Sequence, residues 1–342
     1  MDEAASLKGA PAALAAETRG AVALTFDEAD REAFHRLNQI LRRAPRVRLT
    51  GWRRAWTQAL VRLRTLVADR RVRPTGVSVE TRVVTIAGRQ ARVRILKAPG
   101  PLQGVHVDIH GGGWTIGSAA MDDPINLPIV KECGVAVVSV DYRLATRVRL
   151  PEVIDDCETA LAWVLASPDF AGLPLTLGGE SAGAHLALST ALRLRDKAAI
   201  ERLAGLVLFY GAYDLSGTPS ARRAGPETLI LHGPTLADLV PAVTGLRDLD
   251  RLRDPAISPL YADLHGLPPA LMIVGTNDPL QDDTFFLHTK WQSQSGNALL
   301  VTAPDAPHAF NRLGGRPAQR TNAFVRAWIK ARLAALSDSS TA

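Results

Sequence analysis

The sequence predicts an α/β protein with a mainly parallel, doubly wound sheet of about eight strands and a small helical cap. Short apolar runs alternate with helical patterns from about residue 105 onwards, a succession typical of a parallel sheet covered on both faces. One long stretch, 211–269, interrupts this alternation with prolines, glycines and short helical pieces. At 342 residues the chain is long enough for one domain of this kind with a modest insertion.

The N-terminal part of the chain is predicted to be helical. Asp27 is a suitable N-cap for a first helix over 27–43, in which Phe34, Leu37 and Leu41 follow at helical spacing. An arginine-rich helix comes next, before the first strand.

A β-hairpin and an alternating βα pattern account for the rest of the regular structure. Residues 77–85 and 91–96, on either side of Gly88, interleave β-branched with polar side chains, as in an antiparallel hairpin. The later strands are predicted near 105–109, 135–140, 174–178, 204–209, 270–275 and 298–302. The helices between and after them are predicted at 153–166, 182–195, 281–294 and 318–335.

The domain organisation follows from the break in this pattern. The stretch 211–269 is too long for a simple connection, so we assign 211–257 to a cap insertion. The N-terminal helical segment, 1–73, is expected to contribute to the same cap. Residues 74–342 then form the main domain.

The positive charge is concentrated in one segment. Residues 42–73 hold eleven arginines and one aspartate, whereas the whole chain carries a formal charge of +6. Within this segment an apolar stripe recurs at helical spacing, made of Trp52, Trp56, Leu60, Leu63 and Val67. We expect this helix to pack its apolar face on the core and to leave a solvated basic rim, rather than to bind lipid or nucleic acid.

The cysteines and the lack of a long apolar segment predict the cellular compartment of the protein. Cys133 and Cys157 have no metal-like spacing and are expected to be buried thiols in a reducing environment. No stretch approaches the ~20 apolar residues of a membrane-spanning helix, and the first twenty residues lack the pattern of a secretory signal. A cytoplasmic protein is therefore expected.

The strongest chemical signal is the sequence GESAG at 179–183. Ser181 lies between an apolar strand and a helical run, the setting of a nucleophile elbow. Gly179 and Gly183 suit this turn, because strand and helix nearly touch there. The following helix would direct its N-terminal amides at negative charge forming beside the serine hydroxyl.

A second signal is the sequence HGGGW at 110–114, which follows an apolar strand. Successive glycines expose backbone N–H groups that can hold the oxyanion of a tetrahedral intermediate, together with the amide of Ala182. A phosphate-binding loop is the rival interpretation, but neither Lys-Ser/Thr nor a GxGxxG register is present.

A serine nucleophile needs a base and an acid that orients it. Among eight histidines, His308 follows a late strand, where a parallel sheet presents the carboxyl ends of its strands. His185 is the rival nearest to Ser181, but it lies inside the predicted helix and is expected to be a packing residue. Asp278 is the preferred acid, because Asp282 and Asp283 are expected to begin the next helix.

Together these segments resemble the hormone-sensitive-lipase branch of the α/β-hydrolases, the bacterial carboxylesterases and lipases with an HGGGW loop. The resemblance runs from about Val77 to Trp328. It is carried by HGGGWTIGS at 110–118, VDYRLA at 140–145, GGESAG at 178–183, SPLYADLHGLPPAL at 258–271, GTNDPLQDD at 275–283 and HAF at 308–310.

The resemblance implies an α/β-hydrolase fold, a helical cap and a set of site residues. The implied roles are nucleophile for Ser181, base for His308, orienting acid for Asp278, and oxyanion donors for Gly112, Gly113 and Ala182. His110, Gly111 and Trp114 of the glycine loop are expected to contact the substrate. The chain departs from the family pattern at Thr146-Arg147, where Pro-Glu is usual, and at Ala309, where Gly is usual.

The expected activity is hydrolysis of short- to medium-chain carboxylic esters through an acyl-enzyme intermediate. An amide or arylformamide hydrolase with the same triad, and a non-catalytic binding protein of the same fold, stay open as alternatives. A small-molecule ester is the expected partner, with no cofactor, metal or nucleic acid. A second copy of the chain and a weak contact with a lipid surface also stay open.

Overall fold

The computed structural model describes residues 24–44, 49–197, 199–231 and 233–341. Its centre is an eight-stranded sheet. In chain order the strands are β1 (Ser78–Ile86), β2 (Arg89–Lys97), β3 (Gly104–Ile109), β4 (Val135–Val140), β5 (Leu175–Glu180), β6 (Leu203–Phe209), β7 (Ala270–Gly275) and β8 (Ala298–Ala303). Their spatial order is β1-β2-β4-β3-β5-β6-β7-β8. Strand β2 pairs antiparallel with β1 and β4, and the remaining pairs are parallel.

Helices of varied length surround the sheet. In chain order they are α1 (Glu28–Arg43), α2 (Gly51–Thr65), α3 (Ala68–Val72), α4 (Asp123–Cys133), α5 (Leu150–Ala166), α6 (Ala182–Asp196), α7 (Pro219–Arg223), α8 (Gly233–Thr244), α9 (Leu249–Leu252), α10 (Gln281–Gln294) and α11 (Gly315–Thr341). Single 3₁₀ turns occur at Arg73–Thr75, Ala119–Asp122, Pro168–Phe170, Pro259–Tyr261 and Phe310–Arg312.

The sheet is buried on both faces, which explains the apolar composition of its central strands. Every residue of β3, β4, β5, β6 and β7 is buried. Helices α5, α6 and α10 cover one face, and α4 and α11 cover the other. Parallel strands enclosed in this way lack the in-and-out alternation of a half-exposed sheet. The predicted fold class and strand number are confirmed.

One helix was not predicted from the sequence. Helix α4 has a proline at its start and Pro128 in its interior. Proline lacks a backbone N–H and disfavours helix interiors, so the segment does not have an evident helical pattern. Cys133 is the last residue of this helix, and both it and Cys157 are buried free thiols, as predicted.

The predicted orientation of the arginine-rich helix is wrong. Helix α2 directs its apolar stripe away from the core, and Trp52, Trp56, Leu60 and Leu63 are all exposed. The buried residue of this helix is Gln58. Its amide bonds both backbone groups of Gly117, with Gly117 N donating to Oε1 at 2.7 Å and Nε2 donating to the carbonyl at 3.0 Å. A polar contact therefore fixes the helix, and the apolar face is left outside.

Within the described ranges, no helix combines the length and the apolar character needed to cross a lipid bilayer.

Candidate active site

Ser181 stands on a strained turn between β5 and α6. Its backbone has φ +56° and ψ −118°, a conformation that L-residues rarely adopt and that is typical of a nucleophile elbow. A Cβ on Gly183 would lie 1.9 Å from the carbonyl oxygen of Ile109, and one on Gly179 would lie 2.4 Å from Gly183. The two glycines are therefore required by the close approach of β3, β5 and α6.

His308 bridges Ser181 and Asp278. Its Nε2 lies 2.9 Å from Ser181 Oγ, and its Nδ1 lies 2.7 Å from Asp278 Oδ2. The other carboxylate oxygen of Asp278 accepts the backbone N–H of Leu280 at 2.8 Å, which fixes the orientation of the carboxylate. The side chain of Asp278 is fully buried, and that of His308 is almost fully buried.

These residues converge because each follows a parallel strand. Ser181 follows β5 directly, Asp278 comes soon after β7, and His308 comes soon after β8. Parallel strands end at the same edge of a sheet, so residues distant in sequence meet there. The rival His185 is fully buried in α6, where its Nε2 donates to the carbonyl of Ile257 at 2.8 Å. Burial lowers the pKa of His185 to about 4.

The glycine loop after β3 presents unpaired backbone N–H groups. Gly112 and Gly113 have φ +113° and +56°. Neither these two residues nor Ala182 donates its backbone N–H to another residue of the described chain. Ala182 is also the first residue of α6, where the helix dipole is positive. The three groups are therefore free to donate to an oxygen of a ligand.

The three loop residues predicted to contact the substrate, His110, Gly111 and Trp114, differ in their surroundings. Trp114 lines the cavity described below and packs edge-on against His185. His110 is buried, stacks on Tyr142 with ring centroids 4.1 Å apart, and is absent from the cavity wall. Gly111 is also buried, and a Cβ there would lie 2.8 Å from the carbonyl of Glu180. His110 and Gly111 hold the loop in place and do not reach the cavity.

A largely apolar cavity of about 640 Å³ opens at Ser181. Its wall comes from the glycine loop, from Leu49 of the N-terminal segment, and from the region 212–252. The principal apolar lining residues are Leu49, Trp114, Ala212, Leu215, Leu231, Leu236, Leu239, Val240, Leu246 and Leu280. Helices α7, α8 and α9 all lie within the segment predicted as a cap insertion. His232, one of the eight histidines, lies outside the described residues.

Asp283 connects helix α10 to the beginning of the segment 211–257. Its carboxylate accepts the backbone N–H groups of Tyr213 at 2.7 Å and of Asp214 at 2.9 Å, and the hydroxyl of Thr218 at 2.6 Å. Burial raises its pKa to about 7, against the opposing effect of these donors. Asp283 does lie in the first turn of α10, as expected, but the sequence did not indicate these partners.

A buried polar cluster links the turn that carries Ser181 to the segment that carries His308. Glu180, next to Ser181, accepts from Asn311 Nδ2 at 2.6 Å and from Arg312 Nε at 2.5 Å. Arg312 also pairs with Asp122, and the hydroxyl of Tyr210 bonds Asn311 Oδ1. Burial raises the pKa of the Glu180 carboxyl, although the nearby Arg312 opposes this shift. Sequence reasoning missed this cluster, because its members come from distant segments.

A family model described as the alpha/beta hydrolase fold matches residues 106–312. This span covers more than half of the chain and contains Ser181, Asp278 and His308. The chain belongs to the α/β-hydrolase family. The resemblance predicted from the sequence motifs is thereby confirmed.

Two curated relatives of this α/β-hydrolase are ester hydrolases by name. It is 34% identical over 232 residues to the carboxylic ester hydrolase LipN of Mycobacterium tuberculosis, an alignment that covers 64% of this chain and 61% of the relative. It is 33% identical over 220 residues to an ethyl acetate hydrolase of Pseudomonas putida, with 60% and 65% covered. The α/β-hydrolase therefore spans less than two thirds of the length of these two relatives.

Solved structures resemble the α/β-hydrolase over most of its length. An esterase from Pyrobaculum calidifontis superposes with a TM-score of 0.76 at 27% identity, covering 86% of this chain and 97% of that chain. The esterase LipW from Mycobacterium marinum gives a TM-score of 0.75 at 26% identity, with 90% and 97% covered. The predicted enzyme class, carboxylic ester hydrolase, is the class that these relatives and structures carry in their names.

Proposed function

We propose that this α/β-hydrolase cleaves short- to medium-chain carboxylic esters through a Ser181-His308-Asp278 triad and an acyl-enzyme intermediate. The observation that carries the proposal is the position of the His308 ring, 2.9 Å from the hydroxyl of Ser181 and 2.7 Å from the carboxylate of Asp278. A serine hydroxyl is a weak nucleophile at neutral pH, so it needs a base at this distance.

The first half of the reaction forms the acyl-enzyme. Ser181 Oγ attacks the ester carbonyl carbon while His308 Nε2 takes its proton, and Asp278 stabilises the imidazolium that forms. The carbonyl oxygen becomes an oxyanion, and we assign its donors to the N–H groups of Gly112, Gly113 and Ala182, which have no backbone partner in the described chain. His308 then protonates the alcohol as the C–O bond breaks. In the second half, water repeats the attack with His308 as base and releases the acid and free Ser181.

The cavity supports the assignment of substrate class. Its volume of about 640 Å³ lies within the ~300–1,000 Å³ typical of small-molecule sites, and its wall is mostly aliphatic. Relatives named acetyl esterase and ethyl acetate hydrolase act on small acyl groups by their names. Because the region 212–252 and Leu49 line the cavity, we assign 211–257 and the N-terminal segment to a cap that sets acyl-chain preference.

Replacing the nucleophile tests the mechanism. We expect Ser181→Ala to lower kcat for p-nitrophenyl butyrate by roughly 10⁶-fold and to abolish labelling by a fluorophosphonate probe. The matched control is Ser189→Ala, in the same helix, because the buried Ser189 hydroxyl makes no hydrogen bond in the described structure. Substantial turnover by Ser181→Ala, with Ser189→Ala unaffected, would exclude the triad.

An acyl-chain series tests the substrate class. With purified protein, we expect kcat/KM to be highest for p-nitrophenyl acetate, butyrate or octanoate and to fall sharply for palmitate, because the relatives named acetyl esterase and ethyl acetate hydrolase act on small acyl groups by their names. A preference for emulsified palmitate would contradict the proposed chain length while leaving the triad intact.

A further inference from the structure

Helix α2 carries an exposed apolar stripe. The exposed fractions are 69% for Trp52, 68% for Trp56, 60% for Leu60 and 62% for Leu63, and 77% for Leu66 just after the helix. Single exposed apolar residues are ordinary, but large contiguous apolar patches mark interaction sites. Two tryptophans and three leucines on one helical face form such a patch, which we call the α2 stripe.

The attachment of α2 fixes the direction of the α2 stripe. Gln58 lies on the opposite side of the helix and bonds Gly117 in both directions. Arg54, on the same inner side, donates to the carbonyl of Thr115 at 3.3 Å. The helix is thus held by polar contacts to the segment that follows the glycine loop, and its apolar residues cannot turn inwards without breaking them.

Arginines flank the α2 stripe on both sides. At helical spacing Arg53 and Arg64 fall along one edge and Arg62 along the other, and all three are exposed. The guanidinium of Arg53 lies 5.3 Å from the ring centroid of Trp52. The single acidic residue of 42–73, Asp69, pairs with Arg94 at 2.7 Å and so does not neutralise these arginines.

The basic surface continues beyond the helix. At the N-terminal end of α2, Arg54 lines a second cavity of about 520 Å³ together with Arg147 and Arg149. Glu152 is the acidic residue in this lining. Beyond the C-terminal end, Arg70 and Arg71 are also exposed. An apolar centre is therefore surrounded by positive charge.

We propose that the α2 stripe docks this enzyme onto the surface of an anionic lipid bilayer. Interfacial helices combine a tryptophan- and leucine-bearing face with an arginine-rich rim, so that the apolar residues enter the acyl boundary and the arginines meet lipid phosphates. A second copy of the chain fits less well, because a symmetric contact would bring the same arginines face to face. Nucleic acid also fits less well, because its phosphates would pair with the arginines but would not bury the exposed leucines.

Vesicle binding by the full-length protein tests the proposal. We expect it to sediment with vesicles of phosphatidylcholine and phosphatidylglycerol but not with pure phosphatidylcholine, and added salt should weaken the binding. Trp52 and Trp56 are the exposed members of six tryptophans, so anionic vesicles should shift emission to the blue and reduce acrylamide quenching. Equal sedimentation with both vesicle types, or with neither, would overturn the proposal.

Substitutions on helix α2 should separate the apolar contribution to vesicle binding from the electrostatic contribution. We expect Trp52→Gln with Trp56→Gln to abolish the blue shift and to lower vesicle partitioning at least tenfold. The triple variant Arg53→Glu, Arg62→Glu and Arg64→Glu should lower partitioning about 100-fold, at about fivefold per arginine. Hydrolysis of dissolved p-nitrophenyl butyrate should be unchanged in both variants, because none of the substituted residues lines the cavity at Ser181. This measurement separates the docking proposal from the proposed function.

Matched controls come from other exposed positions. Phe286→Gln removes an exposed aromatic residue elsewhere, and Arg31→Glu with Lys131→Glu and Arg251→Glu makes the same change in net charge. If these controls weaken partitioning as much as the α2 variants, the docking surface is not specific. If acrylamide hardly quenches the tryptophans of the free protein, the α2 stripe contacts another part of the same chain. If the protein is a dimer that Trp52→Gln with Trp56→Gln dissociates, the α2 stripe contacts a second copy.

Discussion

Arg312 donates from Nε to Glu180 at 2.5 Å, and so ties the residue before Ser181 to the segment that carries His308. The side chain of Glu180 is almost completely buried. Because the two loops come from different strands, this contact helps to set the distance between Ser181 and His308. Glu180 and Arg312 are therefore positioning residues for the proposed triad.

Removing the Glu180 carboxylate should impair both stability and catalysis. We expect Glu180→Ala to lower the free energy of unfolding by about 3 kcal/mol, because it leaves the largely buried guanidinium of Arg312 with only part of its partners. It should also lower kcat more than it raises KM, since His308 loses its fixed position. Urea unfolding and ester kinetics measure the two effects.

Glu132→Ala provides the control for this prediction. Glu132 pairs with Arg326 at 2.6 Å, nearly the same distance, but its side chain is 55% exposed. Exposed ion pairs contribute about 0–1 kcal/mol, so we expect a loss below about 1 kcal/mol and no change in kcat. Equal losses in the two variants would show that burial does not decide the contribution of Glu180.

The role of Asp278 as the orienting acid can be tested against Asp282, the next acidic residue along the chain. Asp278→Asn keeps the size of the side chain but disturbs the hydrogen bond that selects the His308 tautomer, so we expect kcat to fall about 10⁴-fold. Asp282→Asn is the matched control, because Asp282 instead accepts the backbone N–H of Ser220 at 2.7 Å. A larger loss of kcat in Asp282→Asn than in Asp278→Asn would reassign the acid.

Periodicity predicted the sheet well and the surroundings of the site less well. Strands such as β4, with the sequence VAVVSV, are recognisable because burial on both faces requires apolar, β-branched residues. The stripe on α2 was also recognisable, but periodicity reports only that a face is apolar. Which face meets the core depends on the contact between Gln58 and Gly117, which no local pattern encodes.

The same limit applies to the polar anchors of the site. The motif identified Ser181 because the turn itself requires its glycine neighbours. Glu180 and Asp283 acquire their roles from partners far along the chain, as in the bond between Asp283 and Thr218. A single sequence contains these residues but does not indicate which of them will meet.

Three buried histidines predict loss of stability on acidification. Burial lowers the pKa of His185 to about 4, and also those of His106 and His110. Below pH 6.5 these histidines bind protons in the unfolded chain but not in the folded chain, so their contribution to stability falls as the pH falls towards 4. For His185 alone, the loss between pH 7 and pH 5 should be about 2 kcal/mol.

His185→Gln isolates this contribution from the oppositely shifted buried carboxyls. A glutamine amide can still donate to the carbonyl of Ile257, the present partner of His185 Nε2, but it does not titrate. We expect urea unfolding of this variant to lose about 2 kcal/mol less between pH 7 and pH 5 than the unsubstituted protein. Identical pH dependence in the two proteins would contradict the shift assigned to His185.

Ala309 occupies a backbone conformation better suited to glycine. Its φ of +62° and ψ of +22° lie in the left-handed region, which costs a residue with a Cβ about 1–2 kcal/mol. Ala309→Gly should therefore raise the free energy of unfolding by about 1 kcal/mol, with little change in kcat, because His308 keeps its hydrogen bonds. The control is Ala171→Gly, at φ −57° on an exposed turn, where we expect a small loss of stability from backbone entropy. If both variants were destabilised in urea unfolding, the left-handed conformation would not strain Ala309.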